Sequence, residues 1–357
     1  GRILARLAAG GTDLPARARD AVRAAALLHD VTHVPFGHTL EDERRLFERH
    51  DAPERTLRFL RAGELARAID RGGVRDEVEA ILAGGPGGAP LALLQDVVRG
   101  TVGADLLDYL ARDAYFCGFR RTWDERLFRY FTAAGGRLAL AIGEGGEARP
   151  DALSEVLHLL WLRYSLCERV YYHHAKVAAG AAVSKAVELA LDLGLVLEDL
   201  FGLGDDGLLA SLRARFAGRS GALAAVLDRI AARRLYKRAF TLGPSIGAER
   251  QADLVRRYHL DRAARAAAEA ELAAAVGAAP EDVIVYCPAP GMAAKEADIH
   301  VVLDAGGPPR ALADLRLPEV DVLVGKHRAL WRFYVLLAGE RIESAGALAR
   351  ACERKWS

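Results

Sequence analysis

Cysteine is scarce in this chain, and the four that occur (Cys117, Cys167, Cys287 and Cys352) show no CxxC spacing. That excludes a zinc ribbon or a disulfide framework as the organising device and fits a reducing, cytoplasmic setting. A surplus of charge is also missing. Lys and Arg number 49 against 48 Asp and Glu, so no global field draws the chain to nucleic acid or to a membrane surface. No apolar run reaches membrane-spanning length, and no charged stretch leads into an apolar one as an export signal would require. A Walker A loop, a GxSxG elbow, a GxGxxG fingerprint and internal repeats are all absent from the sequence. P-loop nucleotide chemistry, α/β-hydrolase chemistry and dinucleotide binding lose their usual signatures with them.

What is present concentrates between Leu27 and Glu41, LLHDVTHVPFGHTLE, which holds three of the ten histidines. Asp13 and Pro15 are placed to open a helix that ends in the pair His29-Asp30. Continued helix would put His29 and His33 on one face, with Asp30 at its edge. Imidazole beside carboxylate is a donor set for first-row divalent ions. Pro35 and Gly37 then break the helix, which would carry His38 and Glu41 round the rim of the same pocket.

Two further stretches carry chemistry. In Asp105-Leu106-Leu107-Asp108-Tyr109-Leu110-Ala111-Arg112-Asp113, helical spacing makes Asp105, Asp108, Tyr109, Arg112 and Asp113 one polar face, opposite Leu106, Leu107 and Leu110. Aspartate is a poor helix former, so three on one face suggest a metal or a hydrogen-bond network, although an amphipathic surface helix shows the same alternation. Farther on, a helix from Asp151 to His174 would align Arg163 with Tyr171 two turns later. The Arg fork suits phosphate oxygens and Tyr can meet a sugar, although a salt-bridged Arg and a buried Tyr explain the same residues.

The remaining texture reads as mostly α. Helices are expected over Gly1–Ala9, Glu64–Ala83, Leu91–Arg99, Ala175–Leu193 and Leu208–Arg234, with charged, periodic sequence over Glu41–Phe59, a loop at Gly84–Pro90 and a small hairpin over Gly135–Gly146. After Leu235 the pattern shifts: strand Leu235–Leu242, helix Glu249–Ala275, strands Asp282–Cys287 and Asp298–Asp304, then helices Val320–Leu337 and Ser344–Ser357. This gives a helical domain over 1–234 and a small α+β subdomain over 235–357.

Together these stretches resemble the HD-domain metal phosphohydrolases, and among them the deoxynucleoside triphosphate triphosphohydrolases. His29-Asp30 is similar to the family's central pair, Pro35-Phe36-x-His38 follows as in the family, and DYxxRD from Asp108 to Asp113 matches with Asp105 ahead of it. Arg163, Tyr171 and His173 resemble the R…VYxH element. Leu235-Tyr236-Lys237-Arg238 and Leu330-Trp331-Arg332-Phe333-Tyr334-Val335 extend the likeness to the C-terminal part.

The resemblance implies an HD helical core and one divalent ion (Mg, Mn or Fe) held by His29, Asp30, Asp105 and a histidine upstream of Gly1, where this N-terminus is expected not to be the natural one. It implies that water activated by that ion attacks a nucleotide. His33, backed by Glu41 or His50, is the implied acid-base group. His38 and Arg163 would meet phosphates, Tyr109 and Asp113 the sugar, and Tyr171 and His173 the substrate. The implied products are deoxynucleoside and triphosphate, and a homo-oligomer is expected.

Two features depart from the pattern. Thr32 and Val34 replace small residues, and Leu106 stands where many relatives carry a phosphate-contacting Lys. Leu106 makes an HD phosphohydrolase of a smaller or modified nucleotide one alternative, and a non-catalytic nucleotide-sensing or nucleic-acid-associated module is the other if the upstream histidine is absent.

Overall fold

The computed structural model describes residues 1–85, 89–120, 122–289 and 299–356. Helix α1 (Arg2–Ala9) is followed by α2 (Ala16–Leu28), whose start is set by Pro15 in extended conformation. His29 to Thr32 then form turns, and the helix does not continue to His33. The expected shared helical face of His29 and His33 is therefore not formed. The buried Arg55 guanidinium binds the Thr32 carbonyl, and the Thr32 hydroxyl donates to the His50 carbonyl at 2.5 Å. Those bonds hold the chain in its turn instead.

A five-residue π-helical turn, Thr39–Glu43, precedes α3 (Pro53–Leu60), so Glu41–Phe59 is only partly helical. The single helix expected over Glu64–Ala83 is two, α4 (Gly63–Arg71) and α5 (Arg75–Ala83), because Gly73 takes φ +65° between them. Helices α6 (Ala89–Arg99) and α7 (Ala104–Phe116) follow, and residues 86–88 of the expected loop lie outside the described residues. The expected small hairpin is two hairpins. Strands β1 (Phe131–Ala134) and β2 (Arg137–Ala141) turn at Gly135-Gly136, and β3 (Gly143–Glu144) and β4 (Glu147–Ala148) at Gly145-Gly146, with all four glycines at positive φ.

Helix α8 (Pro150–Leu166) ends in a second π turn, Cys167–Tyr171, before α9 (His174–Leu191). The continuous helix expected from Asp151 to His174 is thus interrupted. Helices α10 (Asp205–Phe216) and α11 (Gly221–Ala231) replace one expected helix, because Ser220 caps a fresh start by accepting from the Leu223 amide. Strand β5 (Lys237–Leu242) precedes α12 (Ala248–Leu254), a third π turn (Val255–His259) and α13 (Arg262–Ala274), the last capped by Asp261. Strands β6 (Val283–Tyr286), β7 (His300–Val302) and β8 (Arg310–Ala311) lead to α14 (Pro318–Arg328), β9 (Phe333–Leu337) and α15 (Ala345–Trp356). Asp298 and Ser357, at the limits of two expected elements, lie outside the described residues.

The chain forms two compact units: Gly1–Thr32 with His50–Val170 and Ala294–His327, and His33–Arg49 with Tyr171–Ala293 and Arg328–Ser357. Both draw on residues from each side of Arg234, so the compact units and the expected sequence domains are different partitions of the chain. In the first unit, α2 packs on α5 and α6, and α7 packs on α6 and α8. Its sheet has the order β1-β2-β7-β8, with β2 and β7 parallel through Leu140 opposite Val301.

The second unit is layered about the antiparallel sheet β5-β9-β6. Ile284, Tyr286, Tyr334 and Leu336 pack with Val177, Ala178, Ala181 and Ala182 of α9, while Val283, Val285, Phe333, Val335 and Leu337 pack with α13 and α15 residues. Strand β9, expected as the end of a helix, is the centre of this sheet. All five of its residues are buried, so its apolar run lacks the alternation that marks a half-buried strand.

A buried ion network crosses this unit. Arg44 forks to Glu188 of α9 at 2.5 Å and to Glu269 of α13 at 3.1 Å. Arg265 reaches Glu188 at 2.6 Å, Lys185 reaches Glu269 at 2.5 Å, and Glu269 also accepts from the Val285 amide of β6. Burial works to raise the Glu188 carboxyl, but Arg44 and Arg265 outweigh it and hold the group at about 2. Its stabilising charge is therefore fully present above about pH 4.5 and is lost as pH falls through about 2. Glu188→Gln is expected to cost roughly 3–5 kcal/mol at pH 7, as for other broken buried pairs. Denaturant melts should show that difference shrinking between about pH 4.5 and 2 as the wild-type carboxylate protonates.

Candidate metal centre

The centre is built where α2 ends. His29 caps the helix, and its Nδ1–H donates to the Ala26 carbonyl at 2.9 Å, which turns Nε2 outward from the helix end. Nε2 lies 3.1 Å from Asp105 Oδ1, in the first turn of α7, and 3.3 Å from Asp30 Oδ2. One donor atom from each of His29, Asp30 and Asp105 lies within 4.8 Å of the others. The hydrogen bond to Asp105, then that to Asp30, raises the imidazole to about 10 against the opposing effect of burial. A divalent ion and this proton compete for the same electron pair. One imidazole nitrogen and two carboxylates, with the tautomer fixed by a backbone carbonyl, fit a hard or borderline divalent ion.

Around it, the first unit arranges four further expected residues, His50, Tyr109, Asp113 and Arg163. His50, read as an acid-base partner, has Nε2 3.5 Å from Asp30 Oδ1. On α7 the expected polar face divides in two. Asp108 and Arg112 pair with each other in solvent, whereas Asp105, Tyr109 and Asp113 form a half-buried line at four-residue spacing. Burial pushes the Tyr109 phenol up to about 12, opposed by neighbouring Arg163, so it remains a hydrogen-bond donor across the physiological range. Arg163 is itself buried, and Leu106 is buried on the apolar side of α7.

The second unit holds the other expected residues. Phe36 and Gly37 take φ 61° and 44°, and the Phe36 amide donates to Asp205 at 2.8 Å, which sharpens the turn after His33. The Glu41 side chain is fully buried in the π turn Thr39–Glu43, with Oε1 4.0 Å from His33 Nδ1 and Oε2 3.9 Å from His38 Nδ1. The two rings meet edge-on at 5.0 Å between centroids.

Asp42 was not foreseen from the sequence. It binds His38 at 2.9 Å and Arg49 at 2.7 Å. Burial favours its neutral form, yet those bonds hold it at about 2, and its hydrogen bond raises His38. Glu43, also unforeseen, pairs with Lys176 of α9. It packs so close to Gly180 that a Cβ there would lie 2.8 Å from its Oε2. His173 does not extend α8. It caps α9, with Nδ1 accepting from the Ala175 amide, and Tyr171 closes the π turn before it.

A family profile described as the HD domain matches residues 1–82, and one described as the HD associated region matches residues 125–352. The chain belongs to the family with this HD associated region. Curated relatives include an uncharacterized protein of Methanocaldococcus jannaschii, 26% identical over 227 residues, which are 61% of this chain and 43% of that one. Another is YwfO of Bacillus subtilis, also uncharacterized, 25% identical over 177 residues, 49% of this chain and 38% of its own. The match spans less than half of each relative's length.

Among solved structures, a phosphohydrolase of Bacteroides thetaiotaomicron superposes with a TM-score of 0.65 at 19% identity, covering 94% of this chain and 84% of its own. A hypothetical protein of Aquifex aeolicus gives 0.66 at 19%, covering 97% and 82%. These two share the fold. No helix among the described residues is long and apolar enough to cross a membrane.

The HD centre makes a direct expectation. Asp30→Ala removes one of two carboxylates facing His29, so bound Mn²⁺ measured by elemental analysis should fall to background while helical circular dichroism is kept. Full metal occupancy in that variant would rule out Asp30 as a ligand.

Proposed function

We propose that the protein is a metal-dependent phosphohydrolase of nucleotides, and that its substrates are deoxynucleoside triphosphates cut to deoxynucleoside and triphosphate. The observation that carries the reading is the convergence of His29 Nε2 with the Asp30 and Asp105 carboxylates. His29, Asp30 and Asp105 would hold a divalent ion, which when bound supplies Lewis acidity toward a phosphoryl oxygen and makes water more acidic.

The chain's own groups take the remaining tasks. His33, with the Glu41 carboxylate 4.0 Å away to stabilise its protonated ring, protonates the leaving oxygen. Arg163 provides a fixed guanidinium for phosphate, and His38, oriented by Asp42, a second cationic contact. Tyr109 keeps its phenolic proton and donates to the sugar, with Asp113 one helical turn away as an acceptor. A homo-oligomeric assembly belongs to the same reading.

A second reading, hydrolysis of a smaller nucleotide phosphoester, is favoured by Leu106. Buried among apolar neighbours, it brings no charge to a triphosphate. Each charge-assisted phosphate contact is worth about 1.5–3 kcal/mol, so losing one weakens affinity roughly tenfold to a hundredfold.

The two readings separate by product. Purified protein is incubated with deoxynucleoside tri-, di- and monophosphates and Mg²⁺, Mn²⁺ or Fe²⁺, and phosphorus NMR identifies what is released. Intact tripolyphosphate is the expected product. Orthophosphate alone, from monophosphates only, would establish the smaller substrate. In the same assay His33→Ala should keep its metal and lose about two to four powers of ten in rate, the range for acid-base catalysis. Arg163→Ala should raise KM for triphosphates more than for monophosphates, since the charge it removes serves the additional phosphates.

A further inference from the structure

Arg44 is a surplus charge in its own network. Glu188 already has Arg265 at 2.6 Å and Arg262 at 3.4 Å, and Glu269 already has Lys185 at 2.5 Å. Those contacts match each carboxylate with a cation before Arg44 is counted. A further cation with 1% side-chain exposure adds desolvation cost without adding neutrality. For stability alone, a well-packed apolar side chain would serve as well or better.

What distinguishes Arg44 from the other four buried members is where it comes from. Lys185 and Glu188 belong to α9 and Arg265 and Glu269 to α13, whereas Arg44 immediately follows the π turn that carries Glu41. Its two terminal nitrogens grip both carboxylates, and Nη1 also reaches the Val285 carbonyl at 3.4 Å. Its own carbonyl accepts from Arg265 at 3.4 Å, so main chain and side chain are both tied. Next to it Arg45 takes φ 50°, and the Leu46 amide closes back on the Leu40 carbonyl at 2.9 Å. Within this loop Glu41 stands between His33 and His38.

We infer that Arg44 is a positioning residue: its fork onto Glu188 and Glu269 fixes the turn that sets Glu41 between His33 and His38. As a statement about catalysis this rests on the acid-base role proposed for His33 and Glu41. The guanidinium suits the task because a planar fork fixes direction as well as distance, which an ammonium does not.

The test compares wild type with Arg44→Met and Arg44→Lys by steady-state kinetics, pH profile and hydrogen exchange of intact protein. Arg44→Met is expected to lower kcat by about tenfold to a hundredfold with KM nearly unchanged, the cost of a misplaced group. The pH dependence of kcat should shift, and exchange should speed up in peptides covering residues 38–46 while the rest of the second unit keeps wild-type protection. Arg44→Lys, which keeps the charge and loses the fork, should show the same pattern more weakly.

Unchanged kcat, or exchange rising evenly through the second unit, would overturn the positioning role. If Arg44→Met does not fold, Arg44→Lys decides alone, since full wild-type behaviour there would show that charge suffices without direction. A wild type inactive on every phosphoester defeats the functional reading. The exchange pattern then still decides whether Arg44 holds the turn.

Discussion

Two carboxylates that have been taken out of water, Glu188 and Glu269, set the terms for the second unit. Each must be met from several directions, and the groups that meet them come from both long helices, from the strand amide of Val285 and from the residue after a π turn. Removing either carboxylate leaves uncompensated cations in the core, which costs several times what an average hydrogen bond contributes. Helix α9, the helix α13 and strand β6 are therefore tied together by charge in addition to the apolar layers above and below the sheet. Apolar packing alone tolerates small slides of one layer over another; a forked ion network does not.

The first unit uses a related economy at smaller scale. One helix end, fixed by the Nδ1 bond of His29 to its own helix, determines the direction of one nitrogen, and α7 brings Asp105 to it. The turn after His29 is maintained by Arg55 and by the bond between Thr32 and His50, none of which is a donor in the cluster. Outer groups of this sort govern ligand direction, and so the affinity of a site for its ion.

The sequence made the polar stretches legible as motifs but not as geometry. Helical spacing pointed to His29 and His33 as companions on one face, whereas residues 29–32 form turns instead of helix and Asp105 lies against His29. The pairing of 29 with 105 is non-local, and no periodicity within either stretch encodes it. Of the α7 face, the half-buried line of Asp105, Tyr109 and Asp113 was legible, but its separation from the Asp108–Arg112 pair was not, since adjacent positions on a helix differ only in what the rest of the fold covers. Strand β9 was misread because full burial erases the period of two. The ion network had a signal that went unused: Lys185 and Glu188 interrupt an otherwise Ala- and Val-rich run in α9, and charges in such a run need partners inside. The π turns had no signal at all in the residue pattern.

The interleaving of the two units bears on how the chain is made. Strand β2 is emitted early by the ribosome, yet the neighbour it pairs with in parallel, β7, is some 160 residues later, and the second sheet waits for β9, its central strand. At ordinary synthesis rates that delay is on the order of ten seconds. During it, α6 and the β1–β2 hairpin can form while the edge of β2 stays open, and β6 in its turn keeps an open edge until β9 is made. Neither unit can be completed as a nascent N-terminal piece, and the chain must stay soluble with strand edges open until its last hundred residues emerge.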